Sequence, residues 1–273
     1  GWLIARDSFL PLERITEAAG SISDGDDLSA RLDLRRGPRE MRRLARTFDG
    51  MFARLETSFL SKKQFTADAS HELRTPVAVI LAECDRARRK AETKEDFLAS
   101  INVIEQQGNK MNTLIEQLLS LTRIQQGTEK YPLRVCDLSG FVDACCDEFV
   151  PADERGMTLE TDIEPGVAAA YNPSLLSRAM FNLMQNAYKY GREGGNIRVS
   201  LCQENGCAVI SVKDDGPGIP KAEQEKIWQR FYRCDTSRAE GGTGLGLSLV
   251  REIALVHHAR AEVVSEPGKG CDF

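Results

Sequence analysis

The side chains best suited to group transfer lie in one short polar stretch, Ser70-His71-Glu72-Leu73-Arg74-Thr75-Pro76. It brings an imidazole, a carboxylate and a hydroxyl onto one predicted helix, and such groups move protons and form covalent intermediates. His71 and Thr75 are four residues apart and therefore share a helix face. Pro76 removes the backbone donor for the carbonyl of Glu72, which predicts a bend just past His71. The alternative is an ordinary surface histidine on a coiled coil, and the downstream sequence decides between the two.

A second polar group has helical spacing. Asn182, Asn186, Lys189 and Tyr190 fall at positions i, i+4, i+7 and i+8 of a helix predicted over residues 173–190. Amides one turn apart can offer oxygen to Mg²⁺, and a lysine beside them suits phosphate. Taken alone, the pattern also fits the polar face of any amphipathic helix.

Two glycine-containing stretches follow, at residues 214–219 and 241–247. Asp214 comes straight after a predicted strand, and a buried carboxylate there could accept a hydrogen bond from an exocyclic amine, although a plain turn uses the same residues. The second stretch opens a predicted helix, where glycine-rich backbone favours phosphate. It is neither a Walker A loop nor a dinucleotide fingerprint. Between the two, residues 227–233 add an aromatic anchor and two arginines, and the four patterns together predict a nucleotide site.

The elements that carry the histidine are predicted to be helical. Thin apolar stripes over residues 12–22 and 41–59, joined by an extended connector, predict two helices that need a parallel dimer to bury them. The second helix continues along a heptad seam over residues 73–91, from which His71 faces outward. Another seam over residues 97–118 completes a helical hairpin, and two hairpins make a four-helix bundle.

Beyond a linker at Tyr131-Pro132 the pattern changes. Strand-like runs are predicted over residues 157–163, 196–203, 207–213 and 261–265, and a further strand begins near the end of the chain. Asp137 caps one predicted helix, and two more cover residues 173–190 and 247–258. Glu204-Asn205-Gly206 predicts a hairpin turn. The alternation predicts an α/β sandwich, a mixed sheet with helices on one face.

Composition excludes some classes of partner. The net charge is -5 and no basic face is evident, so nucleic acid is not expected to bind. The eight cysteines form no Cys-x-x-Cys pair, which argues against structural zinc and favours reduced, mostly buried thiols in the cytosol. Gly1-Trp2-Leu3-Ile4-Ala5 is too short to cross a bilayer but has the character of the last turn of a helix that does. We therefore expect a missing N-terminal transmembrane segment.

The combined motifs resemble those of bacterial membrane sensor histidine kinases of two-component systems. Residues 70–76 are similar to that family's H box, 182–190 to its N box, 214–218 to its G1 box, 227–233 to its F box and 242–247 to its G2 box. The resemblance implies a multidomain α plus α/β fold, in which a parallel-dimer coiled coil and a four-helix bundle precede an ATP-binding domain of the GHKL (Bergerat) type. The implied division is the end of a transmembrane helix at 1–5, a HAMP signal-relay module at 6–57, a dimerisation and histidine phosphotransfer hairpin at 58–126, a linker at 127–132 and the catalytic ATP-binding domain at 133–273.

The resemblance also implies an ATP-dependent protein-histidine kinase. It would autophosphorylate His71, pass the phosphoryl group to an aspartate on a response regulator receiver domain, and act as a phosphatase toward that partner. By resemblance His71 is the phosphoacceptor, Glu72 polarises it, Thr75 positions water for dephosphorylation and Arg233 reaches the γ-phosphate. The implied nucleotide-binding residues are Asn182, Asn186, Lys189, Tyr190, Asp214, Gly216, Gly218, Gly242, Thr243, Gly244, Leu245, Gly246 and Leu247, with Asn186 also binding Mg²⁺ and residues 234–241 forming a mobile lid.

The implied protein is a homodimer, and this chain is the cytoplasmic portion of an inner-membrane protein. Two departures from the family pattern are Val77, where leucine is common, and Asp215, where asparagine is common. Two other functions stay open from the residues alone. One is a GHKL-type ATPase without histidine phosphorylation, and the other is a non-enzymatic dimeric signal relay.

Overall fold

The computed structural model describes residues 31–32, 39–90, 93–125, 131–149, 155–234 and 242–273. Three predicted features lie outside these ranges: the first helix, the end of a transmembrane helix expected at residues 1–5, and residues 235–241 of the expected lid. The chain divides between His71 and Glu72 into two compact units. The elements are α1 (Arg39–Lys90), α2 (Lys94–Gln125), β1 (Arg134–Asp137), α3 (Leu138–Glu148), β2 (Thr158–Ile163), β3 (Ala168–Tyr171), α4 (Pro173–Tyr190), β4 (Asn196–Glu204), β5 (Cys207–Lys213), α5 (Gly246–Val256), β6 (Val264–Ser265) and β7 (Cys271–Asp272).

Helix α1 is a single element of 52 residues that continues through Pro76. This confirms the prediction that the helix after the connector and the stretch around His71 are one helix, while a bend at Pro76 stays a prediction. His71 is exposed, as its position outside the heptad seam predicts. In the first unit the backbone N of Leu32 donates to Asp49 Oδ1 at 2.7 Å. Leu32 and Phe52 are buried, so this part of the connector packs on α1.

Helix α2 starts with a reciprocal cap. The backbone N of Asp96 donates to Thr93 Oγ1, and the backbone N of Thr93 donates to Asp96 Oδ2, each at 3.2 Å. Its predicted seam residues Phe97 and Ile101 are 46% and 55% exposed, so an apolar stripe lies open along the helix. Such a stripe is typical of a helix that packs against a further helix. Farther along, Leu121 is fully buried and α2 contacts α5.

The main sheet has the strand order β2-β4-β5-β7-β6. Strands β2 and β4 are parallel, and the other neighbours are antiparallel, so the sheet is mixed as predicted. Ile197, Val199 and Leu201 alternate along β4 and are each at most 1% exposed, which defines one buried face. Helices α3 and α4 contact β4 and cover that face. The predicted α/β sandwich is confirmed.

Turn and cap chemistry sets most of the boundaries. Asn205 and Gly206 have φ of +50° and +80°, the left-handed pair that closes a tight hairpin between β4 and β5. The carboxylate of Asp137 accepts from the backbone N of Gly140 at 3.1 Å and caps α3 as predicted. Helix α5 runs Gly246–Val256 rather than 247–258, and the strand predicted over 261–265 is only Val264–Ser265.

The structure differs from the sequence predictions in two respects. It contains a two-stranded antiparallel ribbon, β1 with β3, that was not predicted. The expectation that the cysteines are mostly buried is wrong, because only Cys145, Cys146 and Cys271 of the eight are buried and Cys207 is exposed. All eight are free thiols. No helix in the described ranges is long and apolar enough to cross a bilayer.

Candidate functional site

Helix α4 is positioned by its two ends and its apolar face. Asn172 Oδ1 accepts from the backbone N of Leu175 at 3.2 Å, and Pro173 occupies the first helical position. Met180 and Met184 are at most 1% exposed, so this face lies in the core. The opposite face carries the polar residues identified by their spacing: Asn182, Asn186, Lys189 and Tyr190 all line one cleft.

A histidine outside the sequence motifs, His257, links the start of α4 to the end of α5. His257 Nε2 accepts from the backbone N of Asn172 at 3.0 Å, and its Nδ1 lies 2.8 Å from the carbonyl of Ile253. This assigns a neutral ring with the proton on Nδ1. The contact joins residues 85 positions apart, so no local pattern signals it.

Asp214 is 4% exposed and forms part of the cleft. Its Oδ1 accepts from the backbone N of Gly216 at 2.8 Å and from the backbone N of Cys271 at 3.2 Å. Burial raises the pKa of this carboxyl, and the two backbone bonds oppose the shift. Because Oδ1 is engaged twice, Oδ2 is the atom that can serve a ligand.

The loop after β5 is shaped by close backbone approaches. A Cβ at Gly216 would lie 2.4 Å from the carbonyl oxygen of Tyr190, so only glycine fits there. Gly218 has φ of +73° and packs against the backbone of Glu266. Asp215, which departs from the family pattern, accepts from the backbone N of Arg192 at 3.1 Å and of Asn196 at 3.2 Å. Its carboxylate therefore holds the segment between α4 and β4.

The glycine-rich loop packs against neighbouring motifs at three points. A Cβ at Gly242 would lie 2.7 Å from Lys189 Nζ, and one at Gly246 would lie 2.9 Å from Asn182 Oδ1. Gly244 has φ of +66°, and its carbonyl accepts from the backbone N of Phe231 at 2.9 Å. Leu245 is fully buried and anchors the loop in the core. The loop thus brings the start of α5 close to the polar face of α4.

These elements enclose a cleft of about 420 Å³, within the range of small-molecule sites. Of the predicted nucleotide residues it is lined by Asn182, Asn186, Lys189, Tyr190, Asp214, Gly218, Gly242, Thr243, Gly244, Gly246 and Leu247, together with Arg233. Gly216 and Leu245 are buried and are not among the lining residues. Helix α2 contributes Lys110, Thr113 and Gln117, which sequence analysis missed because the contact is long-range.

The candidate phosphoacceptor group lies on α1. His71 and Thr75 are exposed and Glu72 is half-buried, while Pro76 is buried. The imidazole is therefore accessible to a reacting partner.

The fold and the cleft define an ATP-binding domain of a known class. Residues 171–273 match the family described as "Histidine kinase-, DNA gyrase B-, and HSP90-like ATPase", and this match supports the use of ATP. Residues 61–127 match the "His Kinase A (phospho-acceptor) domain", and residues 3–57 match the HAMP domain.

Two sensor proteins are similar to this chain over most of its length. The sensor histidine kinase RppB of Synechocystis is 37% identical over 221 residues, which are 79% of this chain and 49% of RppB. Sensor protein CutS of Streptomyces coelicolor is 33% identical over 276 residues, 99% of this chain and 65% of CutS. The chain thus spans about half to two thirds of the length of these relatives. It belongs to the sensor histidine kinase family of two-component systems.

A solved structure shows the same fold. Histidine kinase ThkA, in complex with response regulator protein TrrA, aligns with a TM-score of 0.64 and 22% identity. The alignment covers 81% of this chain and 62% of ThkA. At this identity the likeness shows the fold alone.

Proposed function

We propose that this chain transfers the γ-phosphoryl group of ATP to an imidazole nitrogen of His71. The observation that carries the proposal is the cleft, where Asn186, Lys189 and Asp214 meet the glycine-rich loop at residues 242–246. The exposed position of His71 on α1 supports its role as acceptor. A chain with both an ATP cleft and a phospho-acceptor domain fits a kinase better than an inert relay.

Each side of the cleft has a role in binding ATP. Asp214 Oδ2 would accept from the exocyclic amine of adenine, with Tyr190 flanking the ring. Lys189 and Arg233 would face the phosphates, and the loop at the start of α5 would offer backbone N–H groups to them. The other glycines of the two loops let the backbone approach the nucleotide closely enough for these contacts.

The amide oxygens fit a magnesium ion. Asn182 Nδ2 donates to the carbonyl of Arg178 at 2.7 Å, which leaves Asn182 Oδ1 turned toward Gly246 and the loop. With Asn186 beside it in the cleft, the donor set is the few oxygen ligands that Mg²⁺ combines with phosphate and water. We assign Asn186 as the protein ligand. When bound, Mg²⁺ would neutralise part of the phosphate charge.

The reaction is an in-line displacement. A bond forms between an imidazole nitrogen of His71 and the γ-phosphorus, and the bond from phosphorus to the bridging oxygen of ADP breaks. Glu72 would polarise the ring and so make the attacking nitrogen more nucleophilic. Lys189 and Arg233 would stabilise the charge on the transferring group.

The phosphoryl group would next pass to an aspartate on a response regulator receiver domain, and Thr75 would position water for the reverse, dephosphorylating reaction. We further propose a homodimer formed through the exposed seam on α2, including Phe97 and Ile101. The protein would be held at the inner membrane by a segment before residue 6, with this part in the cytoplasm. The domain boundaries proposed from the sequence, 6–57, 58–126 and 133–273, are part of this assignment.

The test is autophosphorylation with γ-labelled ATP. His71→Gln should bind ATP normally and take up no acid-labile label, because the accepting nitrogen is lost. His258→Asn is the matched control, since His258 is also exposed and its φ of +54° suits asparagine. Labelling of the His71 variant would refute the assignment, and phosphate release without label would instead favour an ATPase.

Two further variants separate the roles. Asn186→Asp should lose binding of ATP with Mg²⁺ yet still be phosphorylated by an intact partner if transfer runs between protomers. Thr75→Ala should keep autophosphorylation and lose dephosphorylation of the regulator. Equal loss of both activities would show that Thr75 has another role.

A further inference from the structure

The end of α4 is held by an arginine from outside the predicted motifs. The last carbonyls of a helix have no partners within it. The backbone N of Gly191 donates to the carbonyl of Ala187 at 2.8 Å. Arg155 binds further carbonyls at this end. Its Nη1 donates to the carbonyls of Tyr188 at 2.5 Å and Lys189 at 2.6 Å, and its Nη2 donates to the carbonyl of Gly191 at 2.8 Å. One guanidinium thus donates to three carbonyls at the C-terminal end of the helix.

Arg155 is itself fixed in place. Its guanidinium carbon lies 5.7 Å from the ring centroid of Tyr188, at stacking distance. Its backbone carbonyl accepts from Gly194 N at 2.8 Å, which anchors it to the segment after α4. A cation at a helix C-terminus is also favoured by the helix dipole. The side chain is half-buried, so solvent screens these contacts less than on an open surface.

The turn that Arg155 holds is the one that reaches the cleft. Lys189 Nζ donates to Tyr190 Oη at 3.0 Å and lies 4.7 Å from the centroid of that ring. On the other side, the carbonyl of Tyr190 packs against Gly216, next to Asp214. The last turn is therefore wedged between Arg155 and the loop after β5. A shift of this turn would move both side chains in the cleft.

We propose that Arg155 is a positioning residue for the nucleotide site, which acts by fixing the backbone that presents Lys189 and Tyr190. This rests on the proposed nucleotide function of the cleft. Arginine is suited to this role because the donors of its planar guanidinium can bind several carbonyls at once, whereas a lysine ammonium is a compact point charge without this fixed fork of donors. The role differs from general helix capping in one measurable respect, since part of its effect on ATP binding must pass through Lys189.

The experiment is a double-mutant cycle on ATP affinity in the full chain. Arg155→Ala should weaken ATP binding about tenfold, the scale of lost bonds to a charged donor. In a Lys189→Ala background the same change should cost only about threefold, because one of the two side chains that Arg155 positions is already absent. Arg155→Lys keeps the charge, is expected to fold, and should fall between wild type and alanine.

Arg198→Ala is the matched control. Arg198 pairs with Asp162 on the exposed side of β2 and β4, so its removal should leave ATP affinity unchanged. Thermal unfolding of each variant shows how much stability is lost. If Arg155→Ala costs the same factor with and without Lys189, or if Arg155→Lys binds ATP like wild type, the proposal is overturned. Failure of the unaltered chain to bind ATP would overturn the nucleotide function itself, and this role with it.

Discussion

The hydroxyl of Thr243 in the glycine-rich loop donates a 2.6 Å hydrogen bond to Gln117 Oε1 on α2. Both residues line the cleft. A second contact of the same kind links Gln125 of α2 to Glu252 of α5 at 3.1 Å. The Thr243 hydroxyl of the glycine-rich loop is thus already hydrogen-bonded to α2 through Gln117.

Gln117→Ala should therefore strengthen ATP binding. Without its acceptor on α2, the Thr243 hydroxyl is available to phosphate, and one net hydrogen bond corresponds to about two- to tenfold in affinity. Isothermal titration of the full chain with ATP measures this. Thr122→Ala on the same helix is the control, because its hydroxyl bonds only to the carbonyl of Leu118 in the described structure. Weaker binding by the Gln117 variant would show that α2 supports the nucleotide instead.

Asp214→Asn should abolish most ATP binding while the domain stays folded. The amide oxygen can still accept from Gly216 and Cys271, but the other position becomes a donor facing a donor on adenine. A loss of about 10- to 100-fold is expected in titration. Asp162→Asn removes an exposed carboxylate and serves as the control. Undiminished affinity would place adenine elsewhere.

The stability difference between Asp214→Asn and the wild type should depend on pH. Burial raises the pKa of Asp214 above its ordinary value of 3.8, so its contribution to stability is present below that value and is lost as pH rises through the folded-state pKa. Asparagine does not titrate. Thermal unfolding across acid pH should therefore show the variant gaining stability relative to wild type as pH rises. A constant difference would mean that the folded structure does not perturb this carboxyl.

Gly244→Ala should damage both fold and site. An added Cβ would lie 2.7 Å from the carbonyl carbon of Phe231, at a φ of +66° that alanine disfavours. Gly206→Ala is a close control, since φ there is +80° but nothing lies within 4 Å. Gly206→Ala should lose about 1–2 kcal/mol of stability in denaturant unfolding because of its φ alone, and Gly244→Ala should lose more because its Cβ also meets the backbone of Phe231. Only the Gly244 variant should lose ATP affinity, by about tenfold or more. Equal ATP affinity would contradict this.

The thiols should differ widely in reactivity. Burial raises the pKa of Cys146 and Cys271 to about 11 and that of Cys234 to about 12. Since the thiolate is the nucleophile, a pKa of about 11 leaves about one part in a thousand reactive at pH 8, rising tenfold per pH unit. Iodoacetamide should label exposed Cys207 before buried Cys146 and Cys271, and Cys207→Ser should remove the fastest-labelled site. Peptide mass spectrometry that found Cys271 labelled as fast as Cys207 would contradict this order.

Local patterns predict the elements whose determinants lie within them. Helix Pro173–Tyr190 matches its predicted limits because its apolar spacing and the proline at its start are local. Strand Cys207–Lys213 matches because the Asn205-Gly206 turn fixes its start. Strands β1 and β3 escaped prediction, since each has only four residues and β3 is mostly alanine. Their pairing joins segments more than thirty residues apart, which no window of sequence shows.

In the candidate site, too, local patterns identified some residues and long-range contacts concealed others. Spacing and glycine content identified Asn182, Asn186, Lys189 and Asp214, and the structure brings these together. Arg155, Gln117 and His257 were not identified, and Asp215 was noted only as a departure from the family pattern. Each of the four acts on the backbone or side chain of a residue distant in sequence. The burial of the cysteines was misjudged because free cysteine is a frequently buried residue type in general, whereas its burial at each position is set by tertiary contacts.

Helix α1 is uninterrupted from Arg39 past His71, so its rotational phase can be counted residue by residue. Each residue turns the chain by about 100° and advances it by about 1.5 Å. One residue inserted near the exposed Lys62 would rotate His71 by about 100° relative to Arg39, whereas a seven-residue insertion would return it to within about 20°. The direction of the His71 imidazole relative to Arg39 is therefore determined by the number of helical residues between them.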